Sequence, residues 1–231
     1  MSMYQIEPSH SNEILLSDTS YQIEPNAFLD IIEELERKPL ENNKYRLKSG
    51  EGRSQAFGLV NRRCLPADYS RQCWMRAKLY HHILEFAEKY VDISYNAITL
   101  NQNYKCEPHY DKGNDGDSYL IAFGNFTGGD LKIMEGDLSG NHNIKYNPIK
   151  ANFSKIKHCV EPFEGNRYSL VFYTLKKYRR DVEVPPPSVK YENKQYVFYR
   201  GDKVVNKKNP LPHPLRKKKA NPDSKPQQES L

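Results

Sequence analysis

The chain has 231 residues, of which 35 are Lys or Arg and 29 are Asp or Glu, so its formal net charge is +6. This length suits one domain of ordinary size with short appendages. No apolar run approaches the roughly 18 to 20 residues of a membrane span, and the first ten residues lack the basic and apolar stretches of a secretory signal. The four cysteines have no C-x-x-C spacing, which excludes a zinc ribbon and a disulfide-stapled scaffold. An intracellular location, cytoplasmic or nuclear, is therefore predicted.

The positive charge is concentrated at the C-terminus. Residues 190–231 contain 11 Lys or Arg against 4 Asp or Glu, whereas residues 1–189 contain 24 against 25. The densest run is Arg216, Lys217, Lys218 and Lys219. Such a run can contact the phosphates of nucleic acid or act as a nuclear address, and the alternative is a solvated tail without a partner.

Helices are predicted near the N-terminus. Apolar residues at helical spacing predict a helix at 27–37, with Asn26 as its N-cap and Lys38-Pro39 as its end. A second apolar pattern predicts a helix at about 71–90.

Residues 95–178 are instead rich in β-branched and aromatic types broken by Gly, Asn and Asp. We expect a mainly β, α+β fold, a sandwich or barrel with the helices packed outside it. A turn is expected at Gly128-Gly129. The predicted strands are 97–101, 119–123, 130–134, 143–146 and 167–175.

The C-terminal part begins with a stiff spacer at Pro185-Pro186-Pro187, and a last hairpin is predicted around Gly201-Asp202. The resulting division is a partly disordered segment at 1–25, a folded domain at 26–180, and a Pro-rich spacer with a basic appendage at 181–231. Disorder is expected after residue 206.

One constellation points to metal chemistry. His109 and Asp111 form an H-x-D pair after a predicted strand, and extended backbone places both side chains on one face. His158 follows 49 residues later. Two histidines and one carboxylate are the facial triad of non-haem Fe(II) oxygenases, which leaves coordination positions open for a co-substrate and O₂. A zinc hydrolase is the rival interpretation, because zinc also accepts two His and one Asp.

A second pair of residues separates these interpretations. Arg167 follows His158 by nine residues, and Ser169 lies two residues further on the same face of the predicted strand. A planar guanidinium binds a carboxylate through two parallel hydrogen bonds, so Arg167 suits the far carboxylate of a 2-oxo acid and Ser169 can add a hydroxyl donor. The zinc hydrolase interpretation does not explain this pair.

The segments ITLNQNYKCEPHYDKGNDGDSYLIAFGNFTGGDL and HCVEPFEGNRYSLVFYT resemble the Fe(II)/2-oxoglutarate dioxygenases. The likeness extends to GRSQAFGLVNRR upstream, spans about residues 50–174, and is nearest to largely uncharacterised members from algae and large DNA viruses. It is looser to the TET and base-J thymine hydroxylases, which oxidise a pyrimidine methyl group. The nine-residue gap between His158 and Arg167 is nearer to the protein prolyl hydroxylases.

The resemblance implies a double-stranded β-helix, or jelly-roll, core. It implies that His109, Asp111 and His158 hold Fe(II), that Arg167 and Ser169 bind the C5 carboxylate of 2-oxoglutarate, and that 2-oxoglutarate and O₂ are co-substrates. Asn101 and Asn103 precede the H-x-D pair, and an Asn there contacts the co-substrate in related oxygenases. The alternative is that these two amides only stabilise a turn.

The substrate is left open between three classes. The first choice is a nucleic-acid base, with oxidation of a pyrimidine methyl group, because the appendage is basic and Arg53, Arg62 and Arg63 lie upstream of the core. The second is a prolyl or other side chain of a protein, and a free amino acid or other metabolite remains open as well. A non-catalytic nucleic-acid-binding module on the same fold is the alternative of another class, and the intact triad argues against it.

Overall fold

The structure is a computed structural model and describes residues 22–41, 50–62, 65–176 and 187–209. Strands predominate, and the helices lie near the N-terminus of the chain. The helices are a 3₁₀ turn Pro25–Phe28, α1 Leu29–Arg37, α2 Gln72–Met75 and α3 Ala77–Tyr90. The strands are β1 Gly50–Arg62, β2 Leu65–Tyr69, β3 Ala97–Cys106, β4 Asn114–Gly128, β5 Leu131–Ile133, β6 Gly140–His142, β7 Ile149–Ala151, β8 His158–Val160, β9 Phe163–Leu175, β10 Pro187–Glu192, β11 Gln195–Arg200 and β12 Lys203–Val205.

The core of the fold is a double-stranded β-helix. A six-stranded antiparallel sheet has the order β2-β1-β3-β9-β4-β7, and a smaller sheet has the order β6-β5-β8. Isolated pairing of His109 with His158 extends the smaller sheet by one more segment. From β3 to β9 the chain therefore passes back and forth between the two sheets, as the jelly-roll prediction requires.

Two apolar layers cover the two faces of the large sheet. The outer face packs on the helices, with the ring of Phe28 stacked on that of Phe123 at a centroid distance of 4.4 Å. The inner face packs on the smaller sheet through a separate cluster around Phe126 and Phe153. The prediction that the helices lie outside the β core is confirmed.

The N-terminal helices differ in detail from the sequence-based expectation. Asn26 is not the cap, because Pro25 starts a 3₁₀ turn and Phe28 takes the N-cap position of α1. The helix expected at 71–90 is broken at Arg76, whose backbone leaves the helical region. The buried Arg76 guanidinium donates to the carbonyl oxygens of Glu34 and Lys38 at the end of α1, where the Glu34 oxygen also accepts the Lys38 N–H. No helix in the described residues has the length and apolar character needed to cross a membrane.

The strand predictions are correct for β3, β4, β5 and β9, although β3, β4 and β9 are longer than expected. The predicted strand at 143–146 is wrong: only Lys145 makes an isolated bridge, to Ala122, and Tyr146 has a φ of 62°, which ends an extended segment. Six strands were not predicted. They are β1, β2, β6, β7, β8 and β10.

Strands β10 to β12 form a third sheet, of order β10-β11-β12. The predicted hairpin with its turn at Gly201-Asp202 is present as β11 and β12. Although the sequence placed these residues in an appendage, Phe198 is 1% exposed and packs against the rings of Tyr69 and Tyr80. Pro187 begins β10, whereas the segment 1–21, Pro185, Pro186 and the run from Arg216 to Lys219 lie outside the described residues.

Candidate metal centre and anion pocket

The structure brings the three predicted metal ligands together at the open end of the β core. One ligand atom from each of His109, Asp111 and His158 lies within 4.8 Å of the others. Backbone pairing produces this convergence, because His109 and His158 exchange two N–H···O bonds of 3.0 Å and the Asp111 N–H donates to the Phe153 oxygen. His158 is 3% exposed, whereas the side chains of His109 and Asp111 are 35% and 28% exposed. The cluster is therefore anchored on one side and open to solvent on the other.

Each histidine is oriented by a main-chain carbonyl. His109 Nδ1 lies 2.8 Å from the Glu107 oxygen, and His158 Nδ1 lies 3.0 Å from the Ile156 oxygen. A carbonyl oxygen can only accept, so Nδ1 carries the hydrogen in both rings and Nε2 is the atom available to a metal. The Nε2 of His109 lies 3.4 Å from Asp111 Oδ1. With the hydrogen on Nδ1, both rings present Nε2 to a metal, as a two-histidine, one-carboxylate centre needs.

The two imidazoles have opposite protonation tendencies. The hydrogen bond with the Asp111 carboxylate raises the pKa of His109 to about 10, and the Cys106 thiol beside it acts in the same direction. Burial lowers the pKa of His158 below its ordinary value. A metal ion must therefore displace a proton from His109, whereas His158 presents a neutral ring.

Asn114 holds the carboxylate and was missed by sequence reasoning as a site residue. Its Nδ2 donates to Asp111 Oδ2 at 3.4 Å and to Ser118 Oγ at 3.2 Å. Asn114 is 8% exposed and Ser118 is fully buried, so the amide is fixed in place. With Oδ2 engaged by Asn114, Oδ1 is the oxygen that faces His109. The signal was present in the sequence, since Asn114 lies three residues after Asp111 in the H-x-D-K-x-N run.

Arg167 is a buried cation with unsatisfied donors. It is 2% exposed, and its Nε and Nη2 have no hydrogen-bond partner among the described residues. The guanidinium lies against the rings of Phe126 and Phe163, 5.5 and 5.6 Å from their centroids, which are 6.4 Å apart. Burial lowers the pKa of Arg167 to about 10, which leaves it charged at neutral pH. Two free N–H donors on a desolvated cation suit an anion, above all a carboxylate.

Gly129 shapes one wall of this pocket. The turn predicted at Gly128-Gly129 is not formed, because Gly128 ends β4 and the Gly129 N–H donates to the Pro162 oxygen, so the chain continues toward β5 paired with the segment before β9. Gly129 has a φ of +75°, and a Cβ on it would lie 2.9 Å from Arg167 Nε and 3.1 Å from Phe163 Cβ. Glycine is therefore required at this position for two reasons: the positive φ of the backbone and the space that the guanidinium occupies.

Ser169 and Asn101 line the same inner face of the large sheet as Arg167. They are directly paired between β9 and β3, and Asn101 Nδ2 donates to Ser169 Oγ at 3.2 Å. Asn101 Oδ1 is buried without a hydrogen-bond partner among the described residues. Three unsatisfied polar atoms, two on Arg167 and one on Asn101, thus occupy this face of the interior.

Asn103 does not repeat the geometry of Asn101. It lies in a β-bulge opposite Gly52 and has a φ of +51°, so it interrupts the period-two alternation that would put its side chain on the same face as that of Asn101. Its Oδ1 accepts a hydrogen bond from the backbone N–H of Arg167 at 2.7 Å, and its Nδ2 donates to Asn166 Oδ1 at 3.4 Å. The side chain therefore continues the pairing with β9 where the ladder of β3 ends. This arrangement fits the alternative in which the amide stabilises the backbone.

The chain matches no protein-family model and no curated protein. The solved structures that are similar to it include the following three. NgTET1 in complex with 5mC DNA has 15% identity, coverage of 67% of this chain and 69% of that chain, and a TM-score of 0.48. A 2OG-Fe(II) oxygenase family oxidoreductase from Burkholderia pseudomallei has 15% identity, coverage of 62% and 74%, and a TM-score of 0.39. A Pseudomonas putida prolyl-4-hydroxylase has 11% identity, coverage of 64% and 84%, and a TM-score of 0.40.

The second of these proteins bears the name of the family that the sequence motifs resemble. All three matches have identities of 15% or less. They therefore assign no activity to this chain, whose own side chains carry the functional interpretation.

Replacing Asn114 by Ala is predicted to weaken metal binding about 10- to 100-fold, because the carboxylate loses the donor that fixes Oδ2. The measurement is a Co²⁺ titration followed by visible absorption, with Asn125→Ala, an exposed asparagine on the same strand, as the control. Circular dichroism checks that both variants are folded. Equal affinities in the two variants would show that Asn114 does not position Asp111.

Proposed function

We propose that this protein is an Fe(II)- and 2-oxoglutarate-dependent dioxygenase that hydroxylates a macromolecular substrate. One observation carries the proposal: a two-histidine, one-carboxylate cluster opens from the same β core that buries an arginine with two unsatisfied donors. Neither feature stabilises the folded protein by itself. The metal ligands must lose protons before they can bind a metal, and burial of an unpaired guanidinium lowers the free energy of unfolding. Their joint presence is explained by a metal and an anionic co-substrate.

The residues fit both groups. Nε2 of His109, Nε2 of His158 and Oδ1 of Asp111 would hold Fe(II), because the Nδ1 atoms and Oδ2 are engaged elsewhere. Bound there with 2-oxoglutarate and O₂, the iron supplies oxidative decarboxylation of the co-acid to succinate, coupled to hydroxylation of the substrate. The chain's own part is to fix the ligand tautomers and to leave the exposed side of His109 and Asp111 accessible.

Arg167 would bind the C5 carboxylate of 2-oxoglutarate through Nε and Nη2. Phe126 and Phe163 exclude water around the guanidinium, which strengthens a charge-assisted hydrogen bond. Ser169 supplies a hydroxyl whose orientation is set by Asn101. Asn103 contributes indirectly in this proposal, because it holds the backbone N–H of Arg167.

A zinc hydrolase remains the weaker candidate. Zinc accepts the same three ligands, but hydrolysis at such a centre gives no reason for a second, buried anion pocket. The triad and Arg167 are likewise unexplained in a non-catalytic module, which needs no metal ligands in a tautomer suited to a metal.

For the substrate we place a nucleic-acid base first, with oxidation of a pyrimidine methyl group, and a protein prolyl or other side chain second. The net +7 of residues 190–231 favours a polyanionic substrate. The nine-residue spacing from His158 to Arg167 is the feature that favours the protein hydroxylase.

Substrate class is tested by succinate release with Fe(II) and 2-oxoglutarate in the presence of DNA, RNA or peptide pools, followed by mass spectrometry of each pool. We expect stimulated turnover and a base heavier by one oxygen atom in a nucleic-acid pool. His109→Ala is the control and should abolish both signals. Hydroxylated peptide with unmodified nucleic acid would transfer the assignment to the protein hydroxylase, and no succinate in any pool would contradict the enzyme class.

Replacing Arg167 by Met is predicted to weaken 2-oxoglutarate binding by at least about 30-fold, since truncating a buried charge partner costs about 2 to 5 kcal/mol. Co²⁺ affinity should not change. The thermal unfolding midpoint without 2-oxoglutarate should be equal or higher, because the wild-type protein buries an unpaired charge. Calorimetry on Co²⁺-loaded protein measures the first effect, with the exposed Arg71→Met as control. Unchanged 2-oxoglutarate binding would place the co-substrate elsewhere.

Replacing Gly129 by Ala is predicted to weaken 2-oxoglutarate binding without altering metal affinity, because the new Cβ displaces the Arg167 side chain. Gly136→Ala is a matched control: its φ of +81° imposes similar backbone strain, but a Cβ there has no atom within 4 Å. The same calorimetric titration compares the two variants. If both lose 2-oxoglutarate affinity equally, backbone strain and not the guanidinium position is responsible.

A further inference from the structure

The C-terminal sheet β10–β12 meets the rest of the chain at an ion cluster around Asp68 of β2. The Asp68 side chain is 2% exposed, and Arg62 Nη2 and Arg200 Nε lie 3.5 and 3.2 Å from its carboxylate oxygens. Arg62 ends β1 and Arg200 ends β11, so one carboxylate joins three strands from two sheets. The cluster is therefore a fixed feature of the fold and not a chance contact between surface side chains.

Positive charge exceeds negative charge in this cluster. Lys203 on β12 pairs directly with Arg200 across the sheet, so these two side chains share one face. Lys203 is exposed, and no ion pair engages it within the described ranges. Because Asp68 can neutralise only one guanidinium, the charge stays positive even when the exposed Asp202 of the adjoining turn is counted. The side chains of Arg62 and Arg200 are 23% and 27% exposed, which leaves both within reach of an anion from solvent.

The cluster lies on the same face of the large sheet as the anion pocket. Phe57 and Leu59 of β1 both pack in the core against the helices, so the residues that alternate with them point to the inner face. Val60 is one of these residues, and it pairs directly with Asp68. The Asp68 carboxylate is therefore on the inner side of the sheet, as is Arg167 of β9.

A strip of this inner face that the smaller sheet does not cover joins the cluster to the pocket. The apolar cluster beneath the smaller sheet includes residues of β4, β7 and β9 but, within the described ranges, none of β1 or β2. The inward residues Ala56 and Val60 are accordingly only half-buried, and Ser54 in the same row pairs with Asn101 beside the pocket. Three strand spacings separate β2 from β9. At about 4.8 Å each they span about 14 Å, which about four nucleotides cover at roughly 3.4 Å per nucleotide.

We propose that Arg62, Arg200 and Lys203 form a phosphate site that holds the backbone of a nucleic-acid substrate a few nucleotides away from the reacting base. Guanidiniums bind phosphate oxygens through paired N–H donors, and Asp68 orients both guanidiniums before the ligand arrives. A nucleic-acid strand carries a charge at every nucleotide, so a phosphate falls at the cluster whichever base lies at the metal. The proposal rests on the proposed function, because the nucleic-acid substrate is assigned there. An acidic peptide, which would bring carboxylates to the same cations, is the competing occupant.

The test reverses one charge on each face of the C-terminal sheet. Lys203→Glu changes the proposed site. Lys190→Glu is the matched control, because Lys190 is also exposed but pairs with Val197, which points away from the buried Phe198. Binding of a fluorescein-labelled 20-nucleotide single-stranded DNA of mixed sequence to the full chain is measured by anisotropy between about 50 and 200 mM NaCl. Lys203→Glu should flatten the slope of log affinity against log salt by about 0.7 to 1, and Lys190→Glu should not.

Arg200→Gln separates phosphate binding from anchoring of the C-terminal sheet. The variant removes one cation and leaves Asp68 paired with Arg62, so we expect a lower thermal unfolding midpoint together with the same flattening of the slope as in Lys203→Glu. DNA binding is measured at a temperature at which circular dichroism shows the variant to be folded. A lower midpoint with the wild-type slope would make Arg200 an anchor only and would remove it from the site.

The remaining outcomes concern the occupant and the enzyme class. Equal slopes in Lys203→Glu and Lys190→Glu would overturn the phosphate site. A labelled 20-residue poly-glutamate is titrated in the same way, and if Lys203→Glu flattens its slope as much as that of DNA, the assignment to nucleic acid is wrong. The DNA titration needs neither iron nor 2-oxoglutarate. Absence of succinate release therefore rejects the enzyme class alone, and equal slopes with succinate released reject the phosphate site alone.

Discussion

Strand β9 is the constraint on which the rest of the structure depends. It pairs with β4 along its whole length and with β3 over its second half, so it lies in the middle of the large sheet. Its alternating side chains serve both faces: Tyr168, Leu170 and Phe172 pack outward in the core against the helices, while Arg167 and Ser169 point into the β core. The side chains that stabilise the fold and the side chains that make the anion pocket therefore alternate along the same strand.

This sharing of β9 by the two faces explains how the folded protein tolerates the unpaired buried guanidinium of Arg167. A guanidinium with two unsatisfied donors destabilises the folded state. The apolar layer on the other face of β9 fixes the strand, and Asn103 Oδ1 accepts a hydrogen bond of 2.7 Å from the backbone N–H of Arg167. The cation is thus preorganised for an anion before the anion arrives, which is the arrangement that a co-substrate pocket needs.

The sequence by itself determined the local features. Period-two spacing placed His109 with Asp111, and Arg167 with Ser169, because backbone geometry within one strand decides which neighbours share a face. Helical spacing of apolar residues determined α1, and two adjacent glycines marked the boundary between β4 and β5, although the turn expected there is not formed. The division of charge was also readable, since formal charge depends on composition alone.

Only the tertiary structure decided the features that need partners from distant segments. Strand β1 lacks a regular apolar alternation and exists because it pairs with β3, and the bulge that redirects Asn103 arises in that same pairing. Asn114 became a support for Asp111 because the chain turns between them and places Ser118 behind the amide. The sheet β10–β12 joined the body through Phe198, whose burial depends on Tyr69 and Tyr80. Hydrogen bonds and packing between residues far apart in the chain have no local pattern, so the sequence could not reveal them.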